Sequence, residues 1–243
     1  FKQNLKMIEI EIFSYCNRVC WFCPNSFIDR RTENKFMSEE DYLDILHQLA
    51  EIDYSGEVTY SRYNEPLSNR PVFIEKVKQA RTILPNAVLK TNTNGDYITR
   101  DYIEELVEVG FNQLWVQQYL GNDEKYDHAE AKSRIEKKIE KLGIPAKKLI
   151  DIADDYQRTQ RCTQPTNNMY IDHNGSTMVC CALRSDVPGQ ESGIMANIKD
   201  GKLWDIHMNS NYTPWREHHK EDGPKEGFCK TCRDSVKPSY MEQ

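Results

Sequence analysis

The sequence predicts an α/β fold: an incomplete (β/α)5-6 barrel over residues 1–155, then a small C-terminal domain over residues 156–243 fastened by its cysteines. Five successive stretches read as strand then helix, and each strand runs into a loop of polar and small residues. That is the pattern of a parallel sheet with helical crossovers. With 243 residues the chain is too short for eight such units plus the sequence that follows them, so an open barrel is the better count. From Cys162 onward the alternation gives way to a hairpin pattern and dispersed cysteines.

Residues 5–13 (LKMIEIEIF) are rich in β-branched side chains and partly alternate, which predicts the first strand. Ser38 is placed to cap a helix whose box is closed by Asp41 and whose apolar stripe is Leu43, Leu46 and Leu49. The next strand is expected at 57–61, running on to Asn64, Glu65 and Pro66. Pro71 then opens a helix with Phe73, Ile74, Val77 and Ile83 facing inward. A third strand at 87–90 is expected to break into the polar turn Thr91, Asn92, Thr93, Asn94 and Gly95. A helix over 99–109 follows, stopped by Gly110. A fourth strand at 113–118, a charged helix at 128–142 and a fifth strand at 148–152 complete the barrel pattern. Beyond Cys162, Met169–Asp172 and Thr177–Cys181 flank Asn174-Gly175, a strong hairpin signal. A helix carrying Leu203, Trp204, Ile206 and Trp215 is expected before the final Cys229 and Cys232.

Composition excludes several classes. Only 38% of residues are apolar, and no run reaches the length of a membrane span or signal peptide, so a cytoplasmic protein without a membrane partner is expected. The formal charge of -6, with bases and acids interspersed, predicts no nucleic-acid partner. The run 132–141 reads as a solvated helix face. Because the chain opens on Phe1, it is expected to continue a longer product.

Eight cysteines fall into a tight N-terminal group and a dispersed C-terminal one. Disulfide scaffolds belong to small secreted chains with insufficient cores, whereas this chain is long enough to build one. Cys16, Cys20 and Cys23 stand as CxxxCxxC at the end of the first strand. Three thiolates can hold three irons of a cubane and leave one iron open to a ligand. A structural zinc site is the alternative, though zinc more often uses paired CxxC motifs or added histidines.

The segment CNRVCWFC resembles the cluster motif of the radical S-adenosylmethionine (SAM) superfamily. The resemblance implies a 4Fe-4S cluster on Cys16, Cys20 and Cys23, with SAM bound at its open iron and cleaved to a carbon radical. Tyr63-Asn64-Glu65-Pro66 is similar to the family's GGEP element without its glycines, which implies that Asn64 and Glu65 approach the methionyl amine. By the same resemblance Thr91, Asn92, Thr93 and Asn94 form a polar element near SAM. Gln117 and Gln118 end the fourth strand where the family contacts its ribose or carboxylate, with one of the two facing the barrel interior and the other away, and Phe22 lies beside its adenine.

The spacing Cys162-X12-Gly175-X4-Cys180, followed by Cys229-x-x-Cys232, resembles the twitch type of SPASM-like domain. That implies a second 4Fe-4S cluster on Cys162, Cys180, Cys229 and Cys232, fully ligated and suited to electron transfer. Cys181 is left over. On a strand it would point away from Cys180, either as a small core residue or as a catalytic hydrogen-atom donor to a substrate radical.

Over nearly its whole length the chain is similar to radical dehydrogenases of aminocyclitol biosynthesis, as in the antibiotic butirosin pathway. The implied reaction is oxidation of an alcohol on an aminocyclitol or sugar derivative, with a flavodoxin- or ferredoxin-like electron donor. Alternatives are a radical epimerase using Cys181, a peptide-modifying radical enzyme and a non-enzymatic metal-binding scaffold. Arg158, Arg161, Asp154, Asp155 and Tyr156, on the approach to Cys162, are candidates for a polyol pocket but stay outside the catalytic set, and no general base stands out. Anaerobically purified protein is expected to carry iron at both cysteine groups, with the visible absorption of iron–sulfur clusters. Zinc without iron at the C-terminal group would overturn that assignment.

Overall fold

The computed structural model describes residues 4–20, 23, 25, 28–117, 146–147, 157–230 and 232. Among them one eight-stranded sheet organises the chain, in the order β5-β4-β3-β2-β1-β6-β7-β8. The first six strands of the chain are β1 (Met7–Ile10), β2 (Glu57–Thr59), β3 (Val88–Thr93), β4 (Gln113–Gln117), β5 (Ala146–Lys147) and β6 (Asn168–Ile171). All pair in parallel. β7 (Ser176–Met178) and β8 (Ile194–Asn197) continue the sheet antiparallel. This is the expected open parallel sheet with a small C-terminal unit. The unit joins the sheet directly, because β6 pairs with β1 from Met7↔Asn168 to Ile10↔Ile171.

Three helices, α1 (Glu39–Glu51), α2 (Arg70–Ile83) and α3 (Arg100–Glu108), connect the first four strands. Ser38 caps α1, its Oγ accepting from Asp41 N at 3.0 Å. The buried face is centred on Tyr42, Ile45, Leu46 and Leu49; Leu43, expected in the stripe, lies at its margin. Asn69 caps α2 and Pro71 occupies its first turn, where no amide is needed. Gly110, one residue past the Val109 cap of α3, takes φ +80°, as expected of the glycine that stops a helix. The side chains of Ile8, Ile10, Val58 and Leu89, all fully buried, pack with Phe73, Val77 and Leu106 into the main core.

The C-terminal unit contains α4 (Gln164–Asn167), α5 (Leu203–Met208) and α6 (Thr213–His219). Trp215 lies in α6, not in the helix of Leu203 and Trp204. Pro214 in the first turn of α6 begins a new helix after a short 3-10 turn at Ser210–Tyr212. The hairpin turn is at Asn174-Gly175, with Gly175 at φ +80°. A Cβ there would meet Ile198 Cγ1 at 3.0 Å. Phe22, the expected helix 128–142, the expected strand 148–152, Gln118, Asp154, Asp155, Tyr156 and the expected boundary at 155/156 lie outside the described residues. No helix among those described is long and apolar enough to cross a membrane.

Candidate active site

The chemistry-bearing residues gather beyond the C-terminal ends of β1, β2, β3 and β6. After β1 the chain makes a closed excursion: Ser14 N donates to Lys35 O at 2.8 Å, Met37 N to Ile12 O at 3.0 Å, and the Phe13 and Phe36 rings lie 5.8 Å apart. Within this loop Cys16, Cys20 and Cys23 line a cleft with Arg18, Asn25, Ser61–Glu65 and Asn92–Asn94, about 190 Å³ in volume. The structure therefore brings the cysteine triad together with Asn64, Glu65, Asn92, Thr93 and Asn94. Thr91 does not line the cleft. The third strand runs on to Thr93 instead of ending at Lys90, because Thr91 and Asn92 pair with Leu114 and Trp115 of β4. Of Gln117 the backbone alone is described, as the last residue of β4.

Glu65 ties the cleft walls together. Its backbone N donates to Tyr15 O at 2.8 Å, and its carboxylate accepts from Leu67 N at 3.1 Å, Thr93 Oγ1 at 2.6 Å and Asn94 N at 2.8 Å. Burial, only partly offset by these bonds, raises its carboxyl to about 7. Asn94 Nδ2 donates to Asn17 Oδ1 at 2.9 Å, and Arg18 grips Asp96 at 2.7 and 2.6 Å. These bonds clasp the cysteine loop to the end of β3.

The cleft fits a polar ligand beside an iron–sulfur group. Asn64 Nδ2 and Asn25 Oδ1 are buried in its wall without a partner among the described residues, one donor and one acceptor left for a guest. Burial pushes the Cys16 thiol up to about 12 and Cys23 up to about 11, so the bare thiols keep their protons and a soft metal would displace them.

A second cavity is lined by Cys162, Cys180, Cys229 and Cys232, with Cys181, Arg158, Trp215 and His219. None of the eight cysteines is bridged to another. Among the described residues no group of three or more His, Cys, Asp or Glu is arranged to hold a single metal ion. The free space here is about 20 Å³, so the thiols would part to admit a cluster. The donor set suits one: four soft thiols face one space, and burial raises Cys180 to about 12 and Cys229 to about 11. Cys181 does not turn away from Cys180 as strand alternation predicts. β7 ends at Met178, and both cysteines fall in the bend and turn that follow, where that alternation no longer applies.

Sequence reasoning missed the buried charges that join the two cavities. Arg62, at the cleft, donates through Nε and Nη2 to Asp172 Oδ1 at 3.0 and 2.9 Å. It also reaches Glu9 at 3.2 Å, Leu183 O at 2.7 Å and Cys181 O at 3.5 Å. Arg184 holds Glu11 with two bonds, at 2.5 and 2.6 Å, and His173 Nδ1 lies 2.7 Å from the same carboxylate. Burial opposes ionisation of Glu11, yet Arg184, His173 and Arg30 hold its carboxyl well below the usual range. Burial pushes the Tyr63 phenol up, and both Cys181 and Cys23 add to the rise, so the ring lies within electrostatic reach of each cysteine group.

The radical SAM superfamily matches residues 10–159 of the chain. The chain belongs to that superfamily. An iron–sulfur cluster-binding domain of the SPASM type matches residues 162–233. This radical SAM chain is 28% identical over 244 residues to an S-adenosyl-L-methionine-dependent 2-deoxy-scyllo-inosamine dehydrogenase of Niallia circulans, covering 94% of this chain and 92% of that protein. A crystal structure of BtrN in complex with AdoMet and 2-DOIA superposes with a TM-score of 0.73 at 26% identity, covering 95% of this chain and 94% of that one. BtrN in an open conformation gives 0.71 at 26% identity, covering 98% and 97%. Native anSMEcpe with bound AdoMet and a peptide, 11% identical with a TM-score of 0.56 over 86% and 82%, shares the fold alone. The expected family, its auxiliary iron–sulfur domain and the likeness to aminocyclitol dehydrogenases are borne out.

Arg184→Met should destabilise the protein by about 3 kcal/mol, because it strands Glu11 in the interior. His173 and Arg30 remain beside that carboxylate and keep the loss at the lower end of the range. Denaturant unfolding of the variant, and of Arg184→Met paired with Glu11→Leu, checks this; the pair should recover part of the loss.

Proposed function

We propose that this radical SAM chain is a dehydrogenase that oxidises one secondary alcohol of an aminocyclitol or sugar-like substrate to a ketone. The observation that carries the reading is the Arg62-Tyr63 corner. Both residues line the first cysteine cavity, and Arg62 also holds the backbone of Cys181 in the wall of the second. A substrate at that corner is adjacent to a site of hydrogen abstraction and to a site of electron exit. The likeness to the Niallia circulans dehydrogenase over almost the whole chain supports the same chemistry.

In this reading the carbinol hydrogen leaves as an atom, the hydroxyl proton goes to a base, and the remaining electron passes to the C-terminal site. When bound, a 4Fe-4S cluster on Cys16, Cys20 and Cys23 with SAM supplies the hydrogen-abstracting radical, and a second on Cys162, Cys180, Cys229 and Cys232 supplies a one-electron acceptor. Residues 1–155 hold the first site and 156–243 the second. Asn64, Glu65, Asn92, Thr93 and Asn94 are the proposed SAM contacts, a reading supported by their places in the cleft wall. Thr91, Phe22, Gln117 and Gln118 keep that role on the resemblance. A flavodoxin- or ferredoxin-like protein is the proposed reductant.

Glu65 sets a pH dependence for cofactor binding. Raised to about 7, its carboxyl is protonated below that pH and ionised above it, and only the ionised form pairs with the methionyl ammonium. SAM affinity of the reconstituted protein should rise as pH increases through about 7 and fall again as the methionyl ammonium loses its proton at about 8. Glu65→Gln should flatten this profile and weaken binding by roughly 1.5–3 kcal/mol; equilibrium dialysis across the pH range reads both.

The reaction itself is tested anaerobically in deuterated water with aminocyclitols. Formation of 5′-deoxyadenosine together with a ketone is expected, and Cys181→Ala should retain both. An inverted carbinol carbon carrying solvent deuterium, lost in Cys181→Ala, would establish epimerisation instead.

A further inference from the structure

Arg158, a sequence-level candidate for a polyol pocket, lies instead in the wall of the second cysteine cavity. It is 1% exposed, and its Nη1 stands 3.7 Å from Cys232 Sγ. Nε donates to Gln160 O at 3.0 Å and Nη2 to Arg161 O at 2.9 Å, so the planar fork is fixed with one arm on the sulfur. The backbone is fixed as well: Arg158 N donates to Lys230 O at 2.8 Å, and its carbonyl accepts from Lys225 N at 3.2 Å.

We propose that Arg158 is a tuning residue that raises the reduction potential of the auxiliary iron–sulfur site and so fits that site to accept the substrate's electron. The inference rests on the proposed reading in giving Cys162, Cys180, Cys229 and Cys232 a cluster. Its physical basis is direct. Reduction adds negative charge, and a guanidinium buried beside a ligand sulfur stabilises that charge through Coulomb attraction and an N–H···S bond. A purely structural Arg158, tying residues 158–161 to 225–230, would leave the potential of a correctly loaded site unchanged.

The test uses the full chain with C16A, C20A and C23A, so that only the auxiliary site contributes an iron signal. Its midpoint potential is followed by electron paramagnetic resonance during redox titration. Adding R158Q, with iron content and absorption preserved, should lower the potential by at least the about 59 mV that corresponds to a tenfold change in a one-electron equilibrium. R158K, which keeps a charge but not the fork, should fall between. An unchanged potential in iron-replete R158Q overturns the inference and leaves the dehydrogenase reading standing. If R158Q fails to load iron, chain labelled with 15N-arginine decides: hyperfine coupling of arginine nitrogen to the reduced auxiliary site is expected, and its absence overturns the proposal. Zinc, or no cluster, in the triple-cysteine background overturns the auxiliary-site reading itself.

Discussion

Two arginines and three acids, all withdrawn from solvent, fix the geometry on which both cysteine sites depend. Arg62 and Arg184 meet Glu9, Glu11 and Asp172 where β1, β2 and β6 end. Ions this deep would cost several kcal/mol each if left alone, and simple pairing need not repay that cost. Here Arg62 bonds to Asp172, Glu9 and the carbonyls of Cys181 and Leu183, and Arg184 holds Glu11 with a forked pair. The loop carrying Cys180 is thereby positioned against the loop carrying Cys23.

A smaller version of the same arrangement operates at Glu65. One carboxylate accepts from the turn after β2 and from the end of β3, while its own amide is bound to Tyr15 beside the first cysteine. The same desolvation that raises its proton affinity is what the proposed pairing with the methionyl ammonium would relieve.

Features that depend on local spacing were legible in the sequence. The CxxxCxxC triad, the Asn174-Gly175 hairpin, the Ser38 cap and the Gly110 stop all act within a few residues, and the structure contains each. Features that depend on partners far along the chain were not. Arg62 and Asp172 are separated by 110 positions and Glu11 and Arg184 by 173, and isolated charges in a strand or loop read as solvated. Cys181 was misdirected because strand propensity through Val179 gave no sign that pairing stops at Met178. Arg158 read as a candidate for a polyol pocket, since only the folded chain brings Cys232 to it. β8 escaped notice because Ile194–Asn197 has no strong alternation of its own and is a strand only by pairing with β7.

The parallel pairing of β1 with β6 also shapes how the chain must fold. β1 is synthesised long before its second neighbour, which begins only at Asn168. Until then one edge of β1 has unsatisfied amides and carbonyls beside the apolar Ile8 and Ile10, the kind of edge that invites pairing with another chain. Long-range parallel pairing is slow to form. The acids Glu9 and Glu11 alternate with those isoleucines along that edge, so before their arginine partners arrive they act as gatekeepers against self-association.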